Sequence, residues 1–170
     1  MSELYRPKQD EAQAAIDARQ DEQEVHAFYH LTAASTSGIN LPVGSSDIMD
    51  CNVKIKDTHD AVTVGSDWKF TVPEGKGGLY RAEGSFLVSD SGVGFAAFII
   101  LYIRVNGNIV LQRTVGWATG TPFPHAIGGK DIQLVPGDEV QFEWYQSGGP
   151  SRVIEQGIEK TYVTVSRIGN

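Results

Sequence analysis

The side chains of this chain that could do chemistry are few and scattered. His26 and His30 stand four apart and would share a face in a helix or a strand, the only metal-like spacing present. No carboxylate or cysteine completes a set around them, so they read as two partly exposed histidines where the folded part of the chain begins. Asp47 with Asp50, and Asp90 near Gly92, are of the kind that binds calcium in a loop. A hard cation takes about six or more oxygens, and two carboxylates fall short of that. Gly75 to Gly78 and Gly128-Gly129-Lys130 combine glycine with lysine but lack phosphate-loop spacing. Asp138, in Pro136-Gly137-Asp138, is expected to bond the backbone amides of its own turn. No Gly-x-Ser-x-Gly elbow, acid pair or Cys-His constellation stands out. The expectation is a protein that is not an enzyme and holds no metal or cofactor; a hydrolase or isomerase would need a metal on His26, His30, His59 or His125.

One stretch has the residues for binding. Gly116 to Gly129 reads as a long loop carrying Trp117, Phe123 and His125. Its aromatics either meet a ligand, such as a glycan or a neighbouring subunit, or plug the end of the domain.

Composition narrows the partners. The net charge of −7 and a pI near 5.0 oppose nucleic acid and anionic membranes, which reward basic surfaces. Cys51 is the only cysteine, so an intramolecular disulfide and a multi-cysteine zinc site are excluded. No apolar segment near Met1 has the form of a signal peptide, and no Asn-x-Ser/Thr acceptor occurs. Secretion and membrane insertion are not expected, and assembly in a cytoplasm is.

The elements that must position these residues are strands. Phe95 to Ile103 is an unbroken apolar run within Phe95–Val105, too short for a membrane span of roughly 20 residues. Phe, Ile, Tyr and Val favour a pleated surface, and the Asn106-Gly107 that follows tolerates positive φ, so a two-residue hairpin with a returning strand from Ile109 is predicted. Phe95, Ala97, Ile99, Leu101 and Ile103 fall on one face, and Ala96, Phe98, Ile100 and Tyr102 on the other. Because neither face is polar, one should fill the core and the other should be covered by another copy of the chain. The residues assigned to core or subunit interface are Phe95, Phe98, Ile99, Ile100, Leu101, Tyr102, Ile103 and Tyr162.

Further strands are read at Val25–Leu31, Asp50–Lys56, Ala61–Val64, Trp68–Val72, Leu79–Val88, Ile132–Val135, Val140–Trp144 and around Tyr162–Val165. Ala33 to Ser46 reads as a long irregular connection. About ten short strands at even spacing predict an all-β sandwich or jelly roll over residues 25–170.

Residues 1–24 differ from all of this. Pro7, then Asp10 and Glu11, then a run rich in Ala and Gln predict a helix. Between Lys8 and Glu24 six carboxylates face two cations, a net of −4 out of −7. Ile16 is the only large aliphatic residue between Pro7 and Glu24, too little for a gripping stripe. An anchoring arm that docks on another subunit or a larger lattice is expected, with Leu4, Tyr5, Ile16 and Arg19 as its contacts.

Four short runs carry a family resemblance: Phe70-Thr71-Val72-Pro73, Gly78-Leu79-Tyr80-Arg81, Ile103-Arg104-Val105-Asn106-Gly107 and Leu134-Val135-Pro136-Gly137-Asp138-Glu139-Val140. In order and spacing they resemble the tumour-necrosis-factor-like jelly roll, closest in style to the globular heads of complement type. The resemblance implies a ten-stranded jelly roll that assembles as a threefold homotrimer. The chain lacks a Phe-Ser-Gly-Phe style of ending and a Gly-x-y stalk. In these departures it looks more like the jelly rolls of bacteriophage virions. The expected function is that of a non-enzymatic virion protein, a trimeric capsid decoration or head-fibre protein whose arm binds a capsid or other virion protein. The alternative is a trimeric fibre tip or lectin-like module that binds a host-surface glycan or protein.

Overall fold

A computed structural model describes residues 11–13, 15, 24–31, 39–41, 44–89, 97–117, 125–147 and 152–169. Residues 11–13 and 15 are helical and exposed; the rest is β-structure and turns. Thirteen strands follow in order: β1 (His26–His30), β2 (Ile39–Leu41), β3 (Ser46–Ile48), β4 (Val53–Asp57), β5 (Val62–Thr63), β6 (Lys69–Thr71), β7 (Gly78–Ser89), β8 (Ala97–Val105), β9 (Asn108–Trp117), β10 (His125–Leu134), β11 (Glu139–Ser147), β12 (Arg152–Ile154) and β13 (Tyr162–Gly169).

They form two antiparallel sheets. A seven-stranded sheet runs β2-β12-β7-β13-β1-β4 with β10 on β7, and a six-stranded sheet runs β5-β6-β11-β8-β9 with β3 on β11. The predicted hairpin is present: Val105 pairs with Asn108, and both turn residues are left-handed, Asn106 at φ 49° and Gly107 at φ 78°.

The core lies between the sheets and is rich in aromatic rings. Trp68 meets Phe142 and Tyr29 edge-on at centroid distances of 5.7 and 6.1 Å, and Phe86 meets Trp144 at 6.0 Å. Leu101 sits where two glycines make room. Gly84 and Gly128 are cross-strand neighbours on β7 and β10. A Cβ on Gly84 would come within 2.7 Å of Phe142 Cδ1, and one on Gly128 within 3.1 Å of Leu111 Cδ2. Missing side chains here let Leu101, Leu111 and Phe142 reach the opposite sheet.

The four runs that carried the resemblance converge at one end of the sandwich. The Asn106 side chain donates from Nδ2 to Asp138 at 2.8 Å and accepts from the Glu139 amide at 2.9 Å. Val135 N–H donates to the Asp138 carboxylate at 2.8 Å, the turn-forming role expected of it. Val72 N–H donates to Asp138 O, and Gly137 N–H to Val72 O, both at 2.9 Å. Tyr80 Oη closes the group by donating to Lys76 O.

Three readings of the sequence are corrected. The Gly116–Gly129 loop is shorter, because β9 extends to Trp117 and β10 begins at His125. Gly128 and Gly129 read as loop but lie mid-strand, and at Gly128 the close approach just described favours a residue without a side chain. The irregular connection 33–46 contains β2 and reaches the start of β3, whose Ser-Asp-Ile has no apolar alternation to betray it.

Candidate functional site

The two faces of β8 are now distinct. Ile99, Leu101 and Ile103 are buried in the core, whereas Phe98, Ile100 and Tyr102 alternate with them and lie on the outer face of the six-stranded sheet. Phe95 lies outside the described residues. Register places Tyr145 and Thr114 on either side of Ile100, and Glu143 and Gln112 on either side of Tyr102. Phe98 is 41 % exposed and Ile100, among larger neighbours, only 5 %. The Phe98 and Tyr145 rings are 6.2 Å apart and tilted by 33°.

Below the rings sits an ion pair. Arg104 Nε donates to the Glu143 carboxylate, its Nη1 donates to Gly107 O at 2.8 Å, and its guanidinium lies 5.9 Å from the Tyr102 ring centroid. Glu143 is 7 % exposed. A carboxylate so covered is tolerated because it is paired. Burial pushes the Tyr102 phenol above its ordinary pKa, and the adjacent Glu143 charge adds to this.

Tyr162 is on the opposite surface, the outer face of the seven-stranded sheet. It packs edge-on against Phe28 at 5.8 Å and donates to Glu83 at 3.2 Å. Burial raises its phenol pKa, with the Glu83 charge as the second cause. Across β7 from Tyr162 lies Ile127, 47 % exposed. Arg81 pairs with Asp131 at 3.1 Å on the same face. The seven described residues of the eight assigned to core or interface are thus divided among the core and two opposite surfaces.

His125 heads β10, where its Nε2 is 2.6 Å from Ser85 Oγ and 3.2 Å from Lys160 O. A serine and histidine at that distance have the spacing of a nucleophile and its base. Ser85 is fully buried and also donates to Lys160 O at 3.1 Å, and among the described residues no carboxylate orients His125. The cluster therefore acts as a tie between β7, β10 and the turn before β13. Trp117 ends β9, while Phe123 lies outside the described residues.

His26 and His30 share the outer face of β1, but four residues of strand separate them by roughly 13 Å, too far to hold one ion. His26 lies 3.7 Å from Glu24. Its pKa is lowered by burial first and by the Lys56 charge second, against the pull of Glu24. Asp47 accepts from the Ile48 amide at 2.9 Å, and Asp50 accepts from the Gly65 amide at 2.7 Å; Asp90 lies outside the described residues. Among the described residues no group of three or more His, Cys, Asp or Glu could hold a metal. Cys51 is buried, which pushes its thiol pKa up. The arm contacts Leu4, Tyr5, Ile16 and Arg19 also lie outside the described residues.

The sequence reading missed Tyr145, Phe28 and Ile127. Tyr145 continues the polar side of the Val140-Phe142-Trp144 alternation, so its ring was open to detection. Nothing in the chain order announces that Phe28 and Ile127 share a face, since three strands of pairing bring them together.

No protein-family profile matches the chain, and no curated protein matches it by sequence. Solved structures match it by shape. The Eiger TNF structure from S. frugiperda aligns at a TM-score of 0.57 and 14 % identity, covering 86 % of this chain and 94 % of that one. The globular domain of zebrafish complement 1qA protein aligns at 0.55 and 17 %, covering 86 % and 99 %. Murine APRIL at pH 5.0 aligns at 0.53 and 13 %, covering 84 % and 99 %. The chain therefore has the jelly-roll fold of tumour-necrosis-factor and complement globular domains.

Proposed function

We propose that this chain is a non-enzymatic structural protein that works as a homotrimer, a capsid decoration or head-fibre protein of a virion held to the shell by its N-terminal arm. The observation that carries the reading is the polarity of the sandwich. β1 starts and β13 ends at the end where the tight turns Asn106-Gly107 and 135–138 meet, with the Arg167 amide donating to Val25 O at 2.9 Å. β1, β7, β9 and β11 run away from that end, so that Leu31, Ser89, Trp117 and Ser147 lie at the other end of the sandwich. A protein whose arm joins the domain at one end, leaving the opposite end to face outward, is suited to standing on a lattice. The shared fold supports the trimer. Its interface is assigned to the outer face of the seven-stranded sheet, where Phe28, Tyr162 and exposed Ile127 sit beside the Arg81–Asp131 pair, an apolar centre with a charged rim.

Mass measurement of the purified protein, alone and with its shell, tests this. The expected species has three times the 18.5 kDa chain mass, and Ile127→Glu yields folded monomers while Ile100→Glu leaves the trimer intact. A monomer at micromolar concentration that binds no shell would overturn the reading. A second reading, a recognition trimer, is favoured by the same polarity, because the end away from the arm is the one at which His125 begins β10.

A further inference from the structure

We propose that the outer face of the six-stranded sheet is a binding platform for an uncharged oligosaccharide. The site lies within a single copy of the chain, on the sheet opposite the assigned subunit interface, and stands whether or not the trimer forms.

Three features select this occupant. The first is the rings. Phe98, 41 % exposed, and Tyr145 place their rings 6.2 Å apart with planes tilted by 33°, and Tyr102 lies four residues along β8 from Phe98, roughly 13 Å away. The polarised C–H bonds of a sugar ring pack against the electron-rich face of an aromatic ring, as the edge of a second aromatic does. The second is polarity at the rim. Gln112 Nε2 donates to Thr114 Oγ1 at 3.3 Å on β9, beside Tyr102 and Ile100, and no described residue hydrogen-bonds the hydroxyl of Tyr102 or Tyr145. Amide and hydroxyl groups that both donate and accept are matched to sugar hydroxyls.

The third is charge and size. In a chain of net charge −7, the cations of this face are each paired, Arg104 with Glu143 and Lys69 with Glu139 at 2.7 Å, while the Asp67 carboxylate accepts from Gln141 Nε2 at 3.3 Å. Such a face presents no unpaired cation to an anionic ligand. The ring cluster covers roughly 13 Å along β8 and about two strand spacings across, about 10 Å. That is far below the roughly 800 Å² per partner of a stable protein interface. A short neutral glycan fits both limits.

The test is calorimetric titration of the full chain with maltoheptaose, cellohexaose and chitohexaose, with a heparin hexasaccharide as the charged comparison. Binding of at least one neutral probe is expected, weakened by about tenfold or more in Tyr102→Ala and in Tyr145→Ala. Tyr102→Phe, which keeps the ring, should retain most of the affinity, and Ile127→Ala on the opposite face should retain all of it. Failure of all three neutral probes to bind overturns the proposal. So does binding that survives both alanine variants, or binding of the heparin probe alone. Because mass is measured on the same samples, loss of the trimer with glycan binding intact would count against the proposed function and leave this inference standing.

Discussion

His26 illustrates how one side chain carries a pH response. Burial and the Lys56 ammonium hold its pKa below 6.5 in the folded chain. The unfolded chain takes up that proton first, near its ordinary value of about 6.5. Stability is therefore complete above that pH and is lost as pH falls through 6.5 towards the folded value. Glu24 acts in a lower window. Its hydrogen bond to Lys56 at 2.7 Å lowers its pKa below 4.5, so its contribution is present above 4.5 and lost below. A thermal melt of the wild-type protein should fall between pH 7 and pH 5, and His26→Asn should flatten that fall while leaving the steeper loss below pH 4.5. An unchanged slope between pH 7 and 5 in the variant would remove His26 as its source.

At the scale of the element, β8 lies between β11 and β9 in the six-stranded sheet, and its unbroken apolar run was legible as a strand. Which face met the core was not legible. Alternation gives two equal sets, and only the glycine pair on β7 and β10, opposite Leu101, decides between them. For the same reason the sequence misled at Gly128 and Gly129, where glycine means close approach and not a turn. Gly84→Ala tests this packing. The added methyl meets Phe142 at 2.7 Å, and overpacking of a full core costs about 1–3 kcal/mol. Leu101→Ala leaves a cavity under the same glycines and should cost about 2–5 kcal/mol. Denaturant unfolding reads both, and a neutral Gly84→Ala would show that β7 can move aside. The binding face was partly legible. Tyr102 and Phe98 were found by alternation, but Tyr145 joins them only through the β8–β11 register.

For the whole molecule, the acidic arm and the neutral sheet face call for different conditions. An arm carrying −4 over residues 8–24 should dock on a basic surface and release as added salt shortens the Debye length below its physiological value of about 8 Å. Three arms on the proposed trimer would act together, so that a weak contact per arm is enough. Removing residues 1–22 should abolish shell binding while leaving the melt of the domain unchanged, since the arm contact nearest the strands, Glu24 to Lys56, is retained. Shell binding that survives the truncation, or is indifferent to salt, would move the anchor elsewhere.

The meeting of Val25 and Arg167 has a consequence for how the fold can be built into other polypeptides. Strand pairing does not require the first and last strands to be the ends of a chain. A short linker between Gly169 and Glu24, with a cut made between β9 and β10, would preserve every pairing described. The uncut domain can likewise be spliced into a loop of another protein, entering and leaving through one narrow gap. The jelly roll is thus as well suited to insertion within a larger polypeptide as to standing at its end.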